Sequence, residues 1–166
     1  MILIGLGSNR GDSRRIVVEA MARLAEFSAG EVRCSSLWRT SPVDCPPDSS
    51  DFINAAAAFD ARADLTPEGL LSALKAIEVE YGRGAPTVRN APRELDLDLL
   101  LFDGQTRNTE TFVLPHPRAV DRLFVLAPAE EVLPGAVWPE TGHTISELRA
   151  ALVTDEAVER LEEDAA

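Results

Sequence analysis

Apolar residues along this chain switch between two spacings, and the switches mark out the elements. MILIGL (1–6) is an unbroken apolar run and reads as a buried strand. It enters a turn at Gly7-Ser8-Asn9, after which Asp12 or Ser13 can cap a helix. Ile16, Ala20, Leu24 and Phe27 then recur at helical spacing, widened by Val17 and Met21, and Gly30 ends the unit. EVRCSSLWRT (31–40) reads as a strand closed by the Ser41-Pro42 breaker, and VDCPPDSS (43–50) is loop by composition. FINAAAAFDA (52–61) could be helix or strand from its alanines; its flanks and its place in the order favour strand.

A second helix opens at Thr66-Pro67-Glu68, with a cap, a proline in the first turn and an acid near the positive end of the dipole. Leu70, Leu71, Leu74, Ile77 and Tyr81 form its apolar stripe, and Gly82 stops it. In APRELDLDLLLF (91–102) a period of two puts Leu95, Leu97, Leu99 and Leu101 on one strand face. Asp96, Asp98, Leu100 and Phe102 fall on the other. Asp103-Gly104 is a tight hairpin signal. Residues 105–143 are punctuated by proline and read as irregular, and TISELRAALV (144–153) reads as a short helix with Thr144 and Glu147 at capping-box spacing. No internal repeat or low-complexity linker interrupts the chain.

The order β-α-β-β-α-β predicts an α+β fold: a ferredoxin-like antiparallel sheet with both helices on one face, followed by an irregular C-terminal extension with a short helix. The 166 residues form one expected domain, 1–166. The leucine face of the last strand would lie on the helices, leaving the aspartate face to build a site.

Charge narrows the choice of ligand. A net charge of −12 argues against a nucleic-acid partner, which needs a basic footprint. The last thirteen residues, TDEAVERLEEDAA (154–166), are strongly acidic and predict a solvated helix face or a frayed tail. Residues 81–93 reverse the trend, with Arg83, Arg89 and Arg93 and no acid, a reversal that could serve a small anionic ligand. Cys34 and Cys45 are the only cysteines and show no CxxC or Cys/His clustering, so a disulfide framework or zinc site is not expected. With no membrane-length apolar run and no signal-peptide pattern, the expectation is a cytoplasmic protein.

The candidate chemistry centres on Asp96 and Asp98. Two residues apart on one strand face, their Cα atoms would stand roughly 6.6 Å apart. Carboxylates about 6 Å apart repel by roughly 3 kcal/mol at an effective dielectric of about 20. A divalent cation reverses that sign, and hard carboxylate oxygens suit magnesium. A solvated edge would show the same two acids. The apolar residues predicted beside them and the arginines upstream favour a metal site serving phosphoryl chemistry.

No GxxxxGK[ST] occurs, the only lysine, Lys75, sits mid-helix, and the glycines of GLGSNRG are one residue too far apart for a dinucleotide fingerprint. Arginine must therefore meet the phosphates. Phe52 and Asn54 share a strand face, and a ring beside an amide suits a flat heterocycle, although a structural pair would look alike. His116, Arg118 and Arg122 in LPHPRAVDRLF (114–124) suit phosphate oxygens or a purely structural loop equally well.

Together these residues resemble the 6-hydroxymethyl-7,8-dihydropterin pyrophosphokinase family, folate-pathway enzymes that move diphosphate from ATP to a pterin alcohol. The resemblance spans residues 1 to about 140. It is carried by GSNRGD (7–12), FINAA (52–56), the pair Glu78 and Gly82-Arg83, APRELDLDLLLF (91–102) and PHPR…DRLF (115–124).

The resemblance implies that Asp96 and Asp98 hold two magnesium ions that bridge the phosphates of ATP, the co-substrate. It implies that Arg83 and Arg93 act catalytically from a mobile loop, and that Arg89, His116, Arg118 and Arg122 contact nucleotide phosphates. Lys75 and Glu78 would be further ATP contacts. Asn54 would read the pterin amide edge with the ring between Phe52 and Phe124, and Thr40 and Val43 would line the pocket. The partners would be these two small molecules, with neither nucleic acid nor membrane, and the protein a monomer.

This chain departs from the family pattern at Asn90-Ala91, where many members have Trp-Gly. It departs again at Ala85 and Pro86, which are basic in some members, and at Pro117, a tyrosine in some. Two rivals share the same features. A metal-dependent nucleotidyl transferase or cyclase would attack the α-phosphorus and release pyrophosphate. A non-catalytic nucleotide- or pterin-binding module would bind without turnover.

Overall fold

β1 (Ile2–Ser8) is buried along almost its whole length, on both faces, which is why its sequence is an unbroken apolar run rather than an alternation. The computed structural model describes residues 1–9, 12–40, 51–81, 95–154 and 156–161. Asp12 caps α1 (Ser13–Arg23), accepting from the Arg15 N–H, and Ile16, Val17, Ala20 and Met21 are its buried stripe. The stretch expected as one strand is two, β2 (Arg33–Cys34) and β3 (Trp38–Thr40). Between them the Ser35 hydroxyl accepts the Ala56 N–H at 2.8 Å, so a side chain replaces a ladder bond.

β4 (Phe52–Phe59) contains the alanine run. Ala55 and Ala57 face the core beneath α1, whereas Ala56 and Ala58 face the opposite core. Small side chains on both faces let a helix approach from either side. α2 (Pro67–Glu80) begins as expected, with Thr66 Oγ1 accepting the Gly69 N–H at 3.0 Å. β5 (Asp96–Phe102) completes the β-α-β-β-α-β order, its second strand divided into β2 and β3.

All pairings in the main sheet are antiparallel, in the order β5-β1-β4-β3, the arrangement expected of a ferredoxin-like fold. α1 and α2 cover one face over Ile4, Leu6, Leu97 and Leu99. The register between β1 and β5 shifts: Ile4 pairs with Leu99 but Leu3 pairs with Leu101. Leu100 is the extra residue of a bulge, and the alternation reverses there. Leu101 therefore joins Leu3 on the aspartate face, and Phe102 joins the helix-side core. This corrects the strict period of two, which placed Phe102 beside the aspartates. Leu100 packs closely over Gly5, where a Cβ would sit 3.3 Å from Leu100 Cδ1.

The second face is covered as well. Asp103 and Gly104 form the expected turn with φ of 49° and 73°. The strand beyond it, β6 (Arg107–Asn108), pairs with β7 (Val113–Leu114) instead of returning along β5. α3 (Leu123–Val132) then lies across the second face, in the segment read as irregular. Pro128 inside it costs about 3 kcal/mol in a helix interior and hides the helix from pattern reading. Burial of Leu126, Ala127, Ala129 and Val132 against the sheet offsets that cost.

α4 (Ile145–Ala151) carries the expected capping box of Thr144 and Glu147 and packs on the same core. Within the acidic tail, β8 (Val158–Arg160) pairs with β3, so part of this solvated segment is a strand edge, not a helix face or a frayed end. Among the described residues no helix is long and apolar enough to cross a membrane. The Ser41-Pro42 breaker, the loop 43–50 and the Gly82 stop lie outside the described residues.

Candidate active site

The sheet register assembles the site. Gly7 pairs with Asn54 of β4 on one side and with Asp96 of β5 on the other. Cross-strand partners project from the same face, so Asn54, the gap at Gly7 and Asp96 form one row. Neighbouring strands lie about 4.8 Å apart, making the row roughly 10 Å long. Gly5 pairs with Ala56 and Asp98 in the next row.

Asn54 is held firmly. It is only 5% exposed, and its Nδ2 donates to Thr40 Oγ1 at 2.8 Å. A Cβ on Gly7 would stand 2.9 Å from Asn54 Oδ1, so the missing side chain is what lets the amide lie where it does. Phe52 begins β4 opposite Thr40. The structure thus brings Thr40, Phe52 and Asn54 together at one end of the sheet.

Asp96 and Asp98 are half-buried on β5, an edge strand. The backbone N–H between them, on Leu97, donates to Glu78 Oε2 at 2.8 Å. Glu78 projects from α2 and is 6% exposed, so a buried carboxylate fixes the strand exactly where the acids emerge side by side. His116 Nε2 lies 3.9 Å from Asp98 Oδ1. Its backbone N–H donates to Leu100 O at 3.4 Å, and its Nδ1 accepts the Arg118 N–H at 3.4 Å.

The Arg122 guanidinium lies over the Phe124 ring, 5.4 Å from its centroid, in cation–π contact at the start of α3. The Leu123 and Phe124 N–H groups donate to Glu156 Oε2 at 3.1 and 3.4 Å. Lys75 is exposed on α2 one turn before Glu78, and the Arg118 side chain is exposed; neither is drawn to the aspartates by a contact described above. Arg83, Arg89, Arg93 and Val43 lie outside the described residues.

Sequence reasoning missed Gly7 as a spacer and Glu156 as a cap. A glycine joining an apolar strand to Ser-Asn was the available signal for the first. The second depends on a strand pairing that the acidic composition concealed.

A family model described as 7,8-dihydro-6-hydroxymethylpterin-pyrophosphokinase matches residues 3–134. A 2-amino-4-hydroxy-6-hydroxymethyldihydropteridine pyrophosphokinase of Bacillus subtilis is 42% identical over 130 residues, covering 78% of this chain and 75% of that protein. Proteins of the same description from Methylorubrum extorquens and Pseudomonas aeruginosa are 36% and 37% identical. The first covers 96% of this chain and 97% of its own; the second covers 96% of each. Among solved structures, wild-type HPPK-DHPS of Plasmodium falciparum with pteroate aligns with a TM-score of 0.67 at 15% identity, a likeness of fold. The alignment covers 90% of this chain and 41% of that longer one.

Proposed function

The chain belongs to the 7,8-dihydro-6-hydroxymethylpterin-pyrophosphokinase family, and we propose that it works by holding its two substrates at opposite ends of one row of the sheet. It transfers diphosphate from ATP to the hydroxymethyl group of 6-hydroxymethyl-7,8-dihydropterin and releases AMP, a reaction of folate synthesis. The hydroxymethyl oxygen bonds to the β-phosphorus and releases its O–H proton to solvent; the bond from that phosphorus to the α–β bridging oxygen breaks, and the oxygen leaves with AMP. Little covalent chemistry falls to the protein, which positions the reactants and stabilises charge.

One observation carries the division of labour: Gly7 pairs with Asn54 on one side and Asp96 on the other. An amide that reads a heterocycle edge and a carboxylate pair that serves phosphates thus share a face, roughly 10 Å apart. The pterin would lie between Phe52 and Phe124 against Asn54, with Thr40 and Val43 lining the pocket.

The acid pair fits magnesium. It offers hard oxygens from one half-buried face, and magnesium is usually held by one or two carboxylates with substrate phosphates and water supplying the rest. Asp96 and Asp98 would hold two ions. Bound there, magnesium would neutralise and polarise the phosphates. His116, Arg89, Arg118 and Arg122 bind nucleotide phosphates, with Lys75 and Glu78 as further ATP contacts. Arg83 and Arg93 stabilise charge on the transferred group. The protein acts as a cytoplasmic monomer, the single domain 1–166, on these two small molecules.

Incubation with ATP, magnesium and the pterin alcohol tests this. AMP and pterin diphosphate are the expected products. Release of pyrophosphate would indicate nucleotidyl transfer, and tight binding without turnover would indicate a binding module.

A further inference from the structure

Resting on that assignment of the pterin pocket, we propose that Glu131 is a positioning residue for pterin recognition, setting the placement of β3 against α3. Glu131 lies in the last turn of α3, and its carboxylate gathers three donors from β3 and the residues leading into it. The Ser36 N–H reaches Oε1 at 3.0 Å and Oε2 at 2.9 Å. Ser36 Oγ donates to Oε2 at 2.7 Å, and Trp38 Nε1 donates to Oε1 at 3.0 Å. Ser36 and Trp38 are both buried. An ionised carboxylate has acceptor sites for all three donors, whereas an amide offers one oxygen and turns an N–H toward the rest.

What these donors hold is the pterin side of the site. Trp38 pairs directly with Asn54, and Thr40, two residues on, accepts the Asn54 amide. Trp38 is also held from a second helix. Arg149 of α4 lies 5.6 Å from its ring centroid while donating to Glu130 Oε1 at 2.6 Å.

The other end of α3 is tied to the same strand by a longer route. β8 pairs with β3, Thr40 opposite Val158, and Glu156 just before it caps the Leu123 and Phe124 N–H groups. Phe124 on α3 and the Thr40–Asn54 pair on the sheet are therefore fixed relative to each other at both ends. The family match stops at residue 134, so the second tie comes from a segment outside it. The nucleotide side stands apart. Asp96 and Asp98 lie on β5, across β1 and β4 from β3, and are anchored by Glu78.

A merely structural Glu131 would contribute stability without favouring either substrate; a positioning one also acts on one substrate. Steady-state kinetics with pterin alcohol and ATP varied separately distinguish the two. Glu131→Gln should raise the KM for the pterin about tenfold while leaving that for ATP within about twofold. Glu156→Ala should raise the pterin KM about threefold by the same logic. A folded Glu131→Gln protein with an unchanged pterin KM, or with both KM values raised together, overturns the proposal.

If Glu131→Gln does not fold, Ser36→Ala decides the matter, since it removes only the hydroxyl donor. About a threefold rise in pterin KM supports the proposal and no rise overturns it. Asn54→Ala separates this idea from the one beneath it. An unchanged pterin KM in Asn54→Ala removes the pocket assignment and this proposal with it. A normal Glu131→Gln beside an impaired Asn54→Ala removes this proposal alone.

Discussion

Replacing Gly7 with alanine should damage recognition of the pterin and spare ATP. The added Cβ would stand 2.9 Å from Asn54 Oδ1, where ordinary contacts begin at 3.4 Å. Something must therefore move by about 0.5 Å. The nearest atom ends a side chain, but one that is 5% exposed and fixed by its 2.8 Å bond to Thr40. Moving the amide that far strains a hydrogen bond worth about 1 kcal/mol and re-aims the group proposed to read the heterocycle. A total of about 1–2 kcal/mol corresponds to a rise of roughly 5- to 30-fold in pterin KM.

Thermal stability should change little, because Gly→Ala recovers about 0.4–1 kcal/mol of chain entropy where the backbone permits it. The assay is steady-state kinetics in each substrate, with thermal unfolding as a control. The three nearest atoms to the new Cβ all belong to Asn54 and Ile53, so the ATP side should not respond. An unchanged pterin KM in the folded variant, or an equal rise for ATP, refutes the reasoning.

Glu78→Ala leaves the Leu97 N–H without its acceptor and should cost about 1–3 kcal/mol of stability, measured by urea denaturation; a loss below about 0.5 kcal/mol would contradict the anchoring role. The Glu131 carboxyl is opposed by burial, which pushes it up, but the hydrogen bonds from Ser36 and Trp38 outweigh this and hold it below the ordinary glutamate range. A depressed folded-state value means that the stabilisation is complete above the ordinary range and lost as pH falls through the depressed value. The stability gap between wild type and Glu131→Gln should therefore be full at neutral pH and close on acidification; a gap that widens contradicts it. Arg83→Ala and Arg93→Ala should lower turnover more than ATP affinity, as single-turnover kinetics and nucleotide titration would show; unchanged turnover counts against their role.

What could be read in advance was local. Asp12, Thr66 and Thr144 announce their helices because a cap is decided within four residues. The acid pair and Asn54 stand out because each is polar where a strand pattern asks for apolar residues. What escaped depends on partners distant in sequence. The reversal at Leu100 depends on how β5 pairs with β1, nearly a hundred residues earlier. α3 is apolar nearly all round and carries Pro128, so neither periodicity nor proline rules reveal it. β8 is charged, and only pairing with β3 makes it a strand. Glu131 and Glu156 look like ordinary surface acids until their donors are seen.

Asp96 and Asp98 are proposed to hold jointly the ions that grip the nucleotide. A crystal structure with magnesium and a non-hydrolysable ATP analogue measures this directly. Magnesium should lie about 2.1 Å from carboxylate oxygens of both residues, with phosphate oxygens completing its shell. Nucleotide bound with magnesium touching neither aspartate would contradict it.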